Sequence, residues 1–276
     1  IKSPSTSTIY IGPSAGAGHS SASSTFGLGP NALSLGTLTC SDVVAIGPYA
    51  GAAVTSGQAL TIIGADAGRS VQSALYCTYI GNNAGYYQLG NGQLFIGVAA
   101  GLGTGGASGA SNVGLGNSAL RTITGGSNNV AVGSNAAWSL TSGGNNVIIG
   151  TAAAENCGSA MTGCVLLGHY SGYNNTRDNT LYIANSNTST PLIYGEFDTP
   201  LLRIHGNLYA RRTSGAQITA EYDGSNKAEL TVDSSGNLTV NVSGSKVVFS
   251  DAVEINGSLT LSAQNIVTDT TTGMKI

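Results

Sequence analysis

Charge is what this 276-residue sequence has least of: Asp, Glu, Lys and Arg together make up 8% of it, against about 25% in an average soluble domain. The formal charge of −3 gives no basic footprint, so neither nucleic acid nor an anionic membrane surface is an expected partner. Long hydrophobic runs are missing as well. Residues 70–120 contain no charge, but Gly, Asn, Ser and Gln interrupt them throughout, so no segment reads as a membrane span. Four cysteines (Cys40, Cys77, Cys157, Cys164) are too few for a disulfide scaffold at this length, and none is spaced Cys-x-x-Cys as in zinc sites. They read as small buried apolar residues, with a short-loop bridge between Cys157 and Cys164 as the alternative. The three histidines (His19, His169, His205) are scattered, and no metal or cofactor is expected. Helical periodicity is absent from every apolar run. The chain opens without an initiator Met and ends on Met274-Lys275-Ile276, which reads as a segment of something longer.

What the sequence has in excess is glycine. There are 41 glycines, about twice the ordinary share of roughly 7%. Because 41% of the residues are hydrophobic, the chain is not a disordered polar tail. Ten of these glycines mark a repeat. Two or three mostly apolar residues, then Gly, two variable residues and Ala, recur with glycines at Gly12, Gly29, Gly47, Gly64, Gly81, Gly97, Gly116, Gly133, Gly150 and Gly168. The intervals run from 16 to 19 residues. The residue before Gly is always Ile, Leu or Val, and the residue three before it is mainly apolar. Apolar residues at spacing two define one face of a strand, and that face is expected to point inward. Three after Gly the residue is Ala in nine copies, Ala84 and Ala136 among them, and Ser171 in the tenth. A position restricted to Ala or Ser is expected to be inward and crowded. The repeat Gly is expected to adopt positive φ, or to sit where a side chain would clash.

One short strand per coil, with Gly/Ser/Asn turns between, predicts an all-β chain: a parallel β-solenoid or β-roll of about ten coils. Stacked at the inter-strand spacing of about 4.8 Å, ten coils span roughly 48 Å. Asn112, Asn129 and Asn146 share the column four before Gly. They either stack as an amide ladder or sit as solvated turn residues. The column five after Gly reads Ala17, Ser34, Ala52, Arg69, Tyr86, Leu102, Arg121, Trp138, Glu155, Tyr173. It is expected to face outward, and Arg69, Tyr86, Arg121 and Trp138 form the candidate ligand-binding edge: aromatic faces beside guanidinium donors suit sugar rings. The alternative is a solvated edge or a subunit seam.

Residues 128–137 (NNVAVGSNAA) and 44–50 (VAIGPYA) resemble the head repeat of trimeric autotransporter adhesins, whose heads are left-handed parallel β-rolls that trimerise. Residues 179–185 (NTLYIAN), 191–197 (PLIYGEF) and 202–208 (LRIHGNL) look like the segment that follows such repeats in phage tail fibres. So do 222–226 (YDGSN) and 232–239 (VDSSGNLT), while 267–276 are similar to the run-in to a fibre tip or a self-cleaving trimerisation chaperone. The resemblance implies a homotrimeric virion appendage outside the cell, with other fibre or virion proteins and a host surface glycan or receptor as partners. A bacterial trimeric adhesin or extracellular filament, and a polysaccharide depolymerase spike, are the alternatives.

Charge divides the chain. Residues 1–168 hold three basic and three acidic residues, the remaining 108 seven and ten. The expected organisation is a roll over residues 1–176 and an elongated β-hairpin shaft over 177–276, with strands near 217–222, 228–232, 238–242, 247–249 and 259–261. Ile204-His-Gly-Asn-Leu208 recurs as Ile255-Asn-Gly-Ser-Leu259, which reads as a duplicated fibre element. Isolated hairpins are marginal in water, so this region is expected to bury its apolar face against other chains. Glycoside hydrolysis usually needs paired carboxylates. Asp42, Asp66 and Glu155 fall in different columns, whereas Glu196 and Asp198 could share a strand face. No nucleophile, phosphate-loop or dinucleotide motif is present, and an enzyme is not expected.

Overall fold

A computed structural model of the chain describes residues 7–18, 23–35, 39–209, 218–223 and 226–242. The described residues are all-β, without a helix. Ten strands precede the ten repeat glycines: β1 (Ile9–Ile11), β2 (Ser23–Leu28), β3 (Ser41–Ile46), β4 (Gln58–Ile63), β5 (Thr78–Ile80), β6 (Leu94–Ile96), β7 (Val113–Leu115), β8 (Val130–Val132), β9 (Val147–Ile149) and β10 (Val165–Leu167). An eleventh, β11 (Thr180–Ile183), stacks parallel on β10 although Ala184 stands where Gly would be. The sheet then reverses: β12 (Ile193–Glu196) and β13 (Leu201–Ile204) continue it antiparallel, giving thirteen strands in sequence order. The first compact unit extends to Asn207, and the parallel stacking therefore runs one coil past the expected break at 176.

Each coil turns at fixed corners. In the Gly-x-x-Ala turn the alanine N–H donates back to the glycine carbonyl, as Ala84 does to Gly81 at 3.2 Å. The residue two after Gly is left-handed in every coil, with φ from 54 to 57° (Asn83 at 57°, Ala99 at 56°), which is the geometry of a type II turn. The residue four after Gly is left-handed as well and opens a second turn, closed by Leu140 N–H to Ala137 at 3.2 Å. Five before Gly a third left-handed position recurs, from Ser7 to Asn145 and on to Asn179. The repeat Gly itself lies at φ from 111 to 140°, and its Cα passes over the carbonyl of the next coil's glycine or, for Gly168, of Ala184.

The inward face is the opposite of the one the sequence suggested. The residue two before Gly, between the invariant aliphatics, points into the coil: Ile62, Tyr79, Phe95, Ile148 and Leu166 are fully buried. The aliphatic columns stand outside, with Ile11 and Ile149 each 42% exposed and Val147 37%. Both faces of these strands are apolar, as in parallel sheets covered on each side, so alternation alone cannot say which face the corners enclose. The Ala/Ser column is inward, and Ala84 and Ala136 are fully buried.

Volume is balanced within each coil. Where the central strand residue is aromatic, the residue four after Gly is itself Gly: Tyr79 with Gly85, Phe95 with Gly101. A Cβ on either glycine would strike that ring. Where the strand residue is Gly114, the later position holds Leu120, fully buried and left-handed at φ 52°. Leucine in that region costs about 1–2 kcal/mol, and Gly114 is itself required by the Phe95 ring of the preceding coil, 2.8 Å from where a Cβ would sit.

The asparagines form a buried ladder, and the solvated-turn alternative does not hold. Asn129 Nδ2 donates to Asn112 Oδ1 at 3.0 Å and to the Gly143 carbonyl at 2.9 Å, and Asn146 Nδ2 donates to Asn129 Oδ1 at 2.8 Å. Gln93 continues the ladder below, its Oε1 accepting from Asn112 N–H at 3.0 Å, and Cys164 N–H donates to Asn146 Oδ1 at 2.9 Å above. Asn129→Ala would strand the Gly143 carbonyl and the Asn146 backbone N–H in the interior, at roughly 1–3 kcal/mol each. A lowering of folding stability by about 3 kcal/mol in urea denaturation is expected, and no change would refute the ladder's role. All four cysteines are buried and free, so Cys157 and Cys164 do not pair here.

The second unit begins at Leu208. Its described strands, β14 (Ile218–Asp223), β15 (Asn226–Val232) and β16 (Leu238–Val242), form an antiparallel meander close to the expected positions. The turn before β16 is organised by Asp233, whose carboxylate accepts from Ser235 N–H, Asn237 N–H and Asn237 Nδ2 at 2.7–2.9 Å. These bonds, led by Asn237, hold its pKa below the usual carboxylate range. Leu238 and Val240, on one face of β16, are 61% and 47% exposed. The strands expected at 247–249 and 259–261, the copy at Ile255–Leu259 and the ending 267–276 lie outside the described residues.

Candidate binding surfaces

Coil stacking puts the column five after Gly on one edge of the roll, because each member sits just beyond the second left-handed corner. Arg69, Tyr86, Arg121 and Trp138 all come to this edge. Arg69 ion-pairs with Asp66 of its own coil at 2.8 Å and lies over the Tyr49 ring of the preceding coil, 4.4 Å from its centroid. Arg121 lies over the Trp138 indole at 5.7 Å. Tyr86 tilts against its neighbour Tyr87 at 4.4 Å. Further along, Glu155 accepts from Asn135 Nδ2 at 3.0 Å. The edge is thus a chain of intramolecular cation–π and ion pairs, in which Tyr49 and Trp138 already carry a guanidinium.

A second surface lies where the roll ends. Tyr173, the last member of the edge column, leans on Tyr170 at 5.3 Å. Buried Asn175 ties down the following turn: its Nδ2 donates to Thr180 Oγ1 at 2.8 Å and to the Arg177 carbonyl at 3.0 Å, and its Oδ1 accepts from Arg177 N–H at 3.2 Å. Arg177 pairs with Glu196 at 3.3 Å. Glu196 also accepts from Tyr194 OH and Thr199 Oγ1, both at 2.6 Å. Those hydroxyls, Thr199 foremost, hold the Glu196 carboxyl below its ordinary pKa. Burial, together with the bond to the carboxylate, pushes the Tyr194 phenol up to about 12. Tyr182 meets the Tyr194 ring edge-on at 5.1 Å. Asp198 lies beyond the end of β12, in the turn to β13, so it does not share a strand face with Glu196.

No family model, curated protein or solved structure matches the chain. Among the described residues, no three His, Cys, Asp or Glu side chains come together as a metal site would require, and no helix is long and apolar enough to cross a membrane.

Sequence reasoning placed Tyr173 in its column but missed Arg177, Tyr182 and Asn175 as neighbours. The available signal was TLYIA at 180–184, an eleventh strand copy whose Gly is replaced by Ala184. Gly168 shows the cost of that last stacking step: a Cβ there would strike the Ala184 carbonyl.

Proposed function

We propose that this chain is a structural and adhesive segment of a fibrous extracellular appendage, of the phage tail-fibre kind, which assembles as a homotrimer and contacts glycan on a host surface. The observation that supports it is the outer face of the roll. Two columns of Ile, Leu and Val, with Phe26, Thr61 and Thr78 as the departures, run along ten stacked strands without a charge. Parallel sheets are ordinarily covered on both faces, and a contiguous apolar stripe of this length is an interaction surface. A second copy matches it best, because only another roll has the same periodicity. The exposed apolar face of the β14–β16 meander supports the same reading, since a free meander is marginal in water. The resemblance of the segments after the roll to tail-fibre elements supports a virion appendage and neighbouring fibre proteins as partners.

Sedimentation should give a mass of three times 27.5 kDa at micromolar concentration. A folded monomer would overturn the reading.

A further inference from the structure

The cleft at the end of the roll has the lining of a saccharide site. It measures about 280 Å³ and opens between the turn at 172–177 and the β11–β12 loop at 187–189. Half-buried Tyr173 and Tyr182 line it, with Arg177 and the neutral side chains of Asn187 and Thr188. Among the described residues, the Tyr173 and Tyr182 hydroxyls and the Asn187 amide make no hydrogen bond within the chain, which leaves them for a ligand. One wall is prepared in advance by the Asn175 bonds to Arg177 and Thr180, so little ordering is required on binding. Charge narrows the ligand class. The charge of Arg177 is offset by Glu196 at 3.3 Å and by the exposed Asp178 beside it in sequence, so the cleft has no net positive charge to favour an anionic ligand. At the Trp138 edge the aromatic face is occupied by Arg121, whereas no guanidinium covers Tyr173 or Tyr182 among the described residues.

We infer that this cleft binds a neutral hexose or N-acetylhexosamine unit of a surface polysaccharide, with the tyrosine rings as apolar walls and Asn187 and the phenols as hydrogen-bonding groups. The inference rests on the adhesive reading above and gives it a site.

The probes are cellobiose, lactose and chitobiose, with 3′-sialyllactose as the anionic comparison, examined by saturation-transfer NMR on the full chain. Signal transfer to at least one neutral disaccharide, and weaker transfer to the sialylated one, is expected. Tyr173→Ala with Asn187→Ala should weaken the binding about tenfold or more, equivalent to one lost hydrogen bond or contact of ordinary strength, while Arg121→Ala with Trp138→Ala should leave it unchanged. No transfer to any neutral probe would overturn the proposal, as would binding that survives the first pair and is lost with the second. The sedimentation mass is read on the same samples, so a failed cleft with an intact oligomer is distinguishable from failure of the fibre reading itself.

Discussion

Gly116→Ala abolishes coil stacking at its position. The new Cβ would lie 2.5 Å from the carbonyl oxygen and 2.6 Å from the carbonyl carbon of Gly133, backbone atoms of the next coil that cannot rotate away. The φ of +135° adds a conformational penalty, since this region is almost closed to L side chains. Overpacking of roughly 1–3 kcal/mol and backbone strain of similar size make about 4 kcal/mol per chain, a large part of the 5–15 kcal/mol that a domain has in reserve. Gly125→Ala is the control: a Cβ there meets nothing within 4 Å, and its stability should stay within about 0.5 kcal/mol of the parent. Urea denaturation followed by circular dichroism measures both. Equal midpoints for the two variants would show that close backbone approach is not what restricts the column to Gly.

The second large effect concerns assembly. Ile149→Lys places an ammonium on the aliphatic outer face, at β9, where a neighbouring chain would cover it. A buried charge without a partner costs several kcal/mol, and in a homotrimer it is incurred three times. The coil itself need not change, because Ile149 already contacts solvent in the single chain. The expected result is a chain with unchanged β-sheet dichroism and a sedimentation mass reduced to one copy. Ile148→Lys, one residue away, should act oppositely: Ile148 is fully buried inside the coil, so the charge disrupts the roll before assembly is reached. A trimer that survived Ile149→Lys would remove this face from the interface.

The contrast between neighbouring residues also shows what was legible in the sequence. The strands and their parallel order followed from the Gly-x-x-Ala period, because the Gly is fixed by backbone approach and the Ala by burial at a tight corner, constraints that leave little choice of residue. The buried ladder was visible as three asparagines in one column. The inward face was misread because the outer columns are almost all aliphatic, whereas the true core column varies among Tyr, Gly, Ala, Ile, Phe and Leu and resembles a variable position. Its variation is compensation: the ring of Tyr79 needs Gly85, and the ring of Phe95 needs Gly101 and Gly114. Uniformity in this chain marks the close approach of backbones and the outer face of the roll, and variability marks the enclosed core. The end cleft was hidden for another reason. Its walls come from a strand copy lacking the marker glycine and from a loop beyond the repeat, so no single column contains them.

Sequence-order strand pairing has a kinetic consequence. Every strand of the roll pairs only with its predecessor and successor, at a separation of 16 to 19 residues. The entropy of closing each loop is nearly the same at every step, since that cost grows only logarithmically with length. Contacts between distant parts of the chain, which slow most β proteins, give way here to contacts about one coil apart in sequence. The roll can therefore grow from any formed pair of coils, one coil at a time in either direction, as one-dimensional repeat arrays do. A chain emerging from a ribosome could begin this growth once two coils had left the exit tunnel. In each strand laid down, the next in sequence meets an edge already in register.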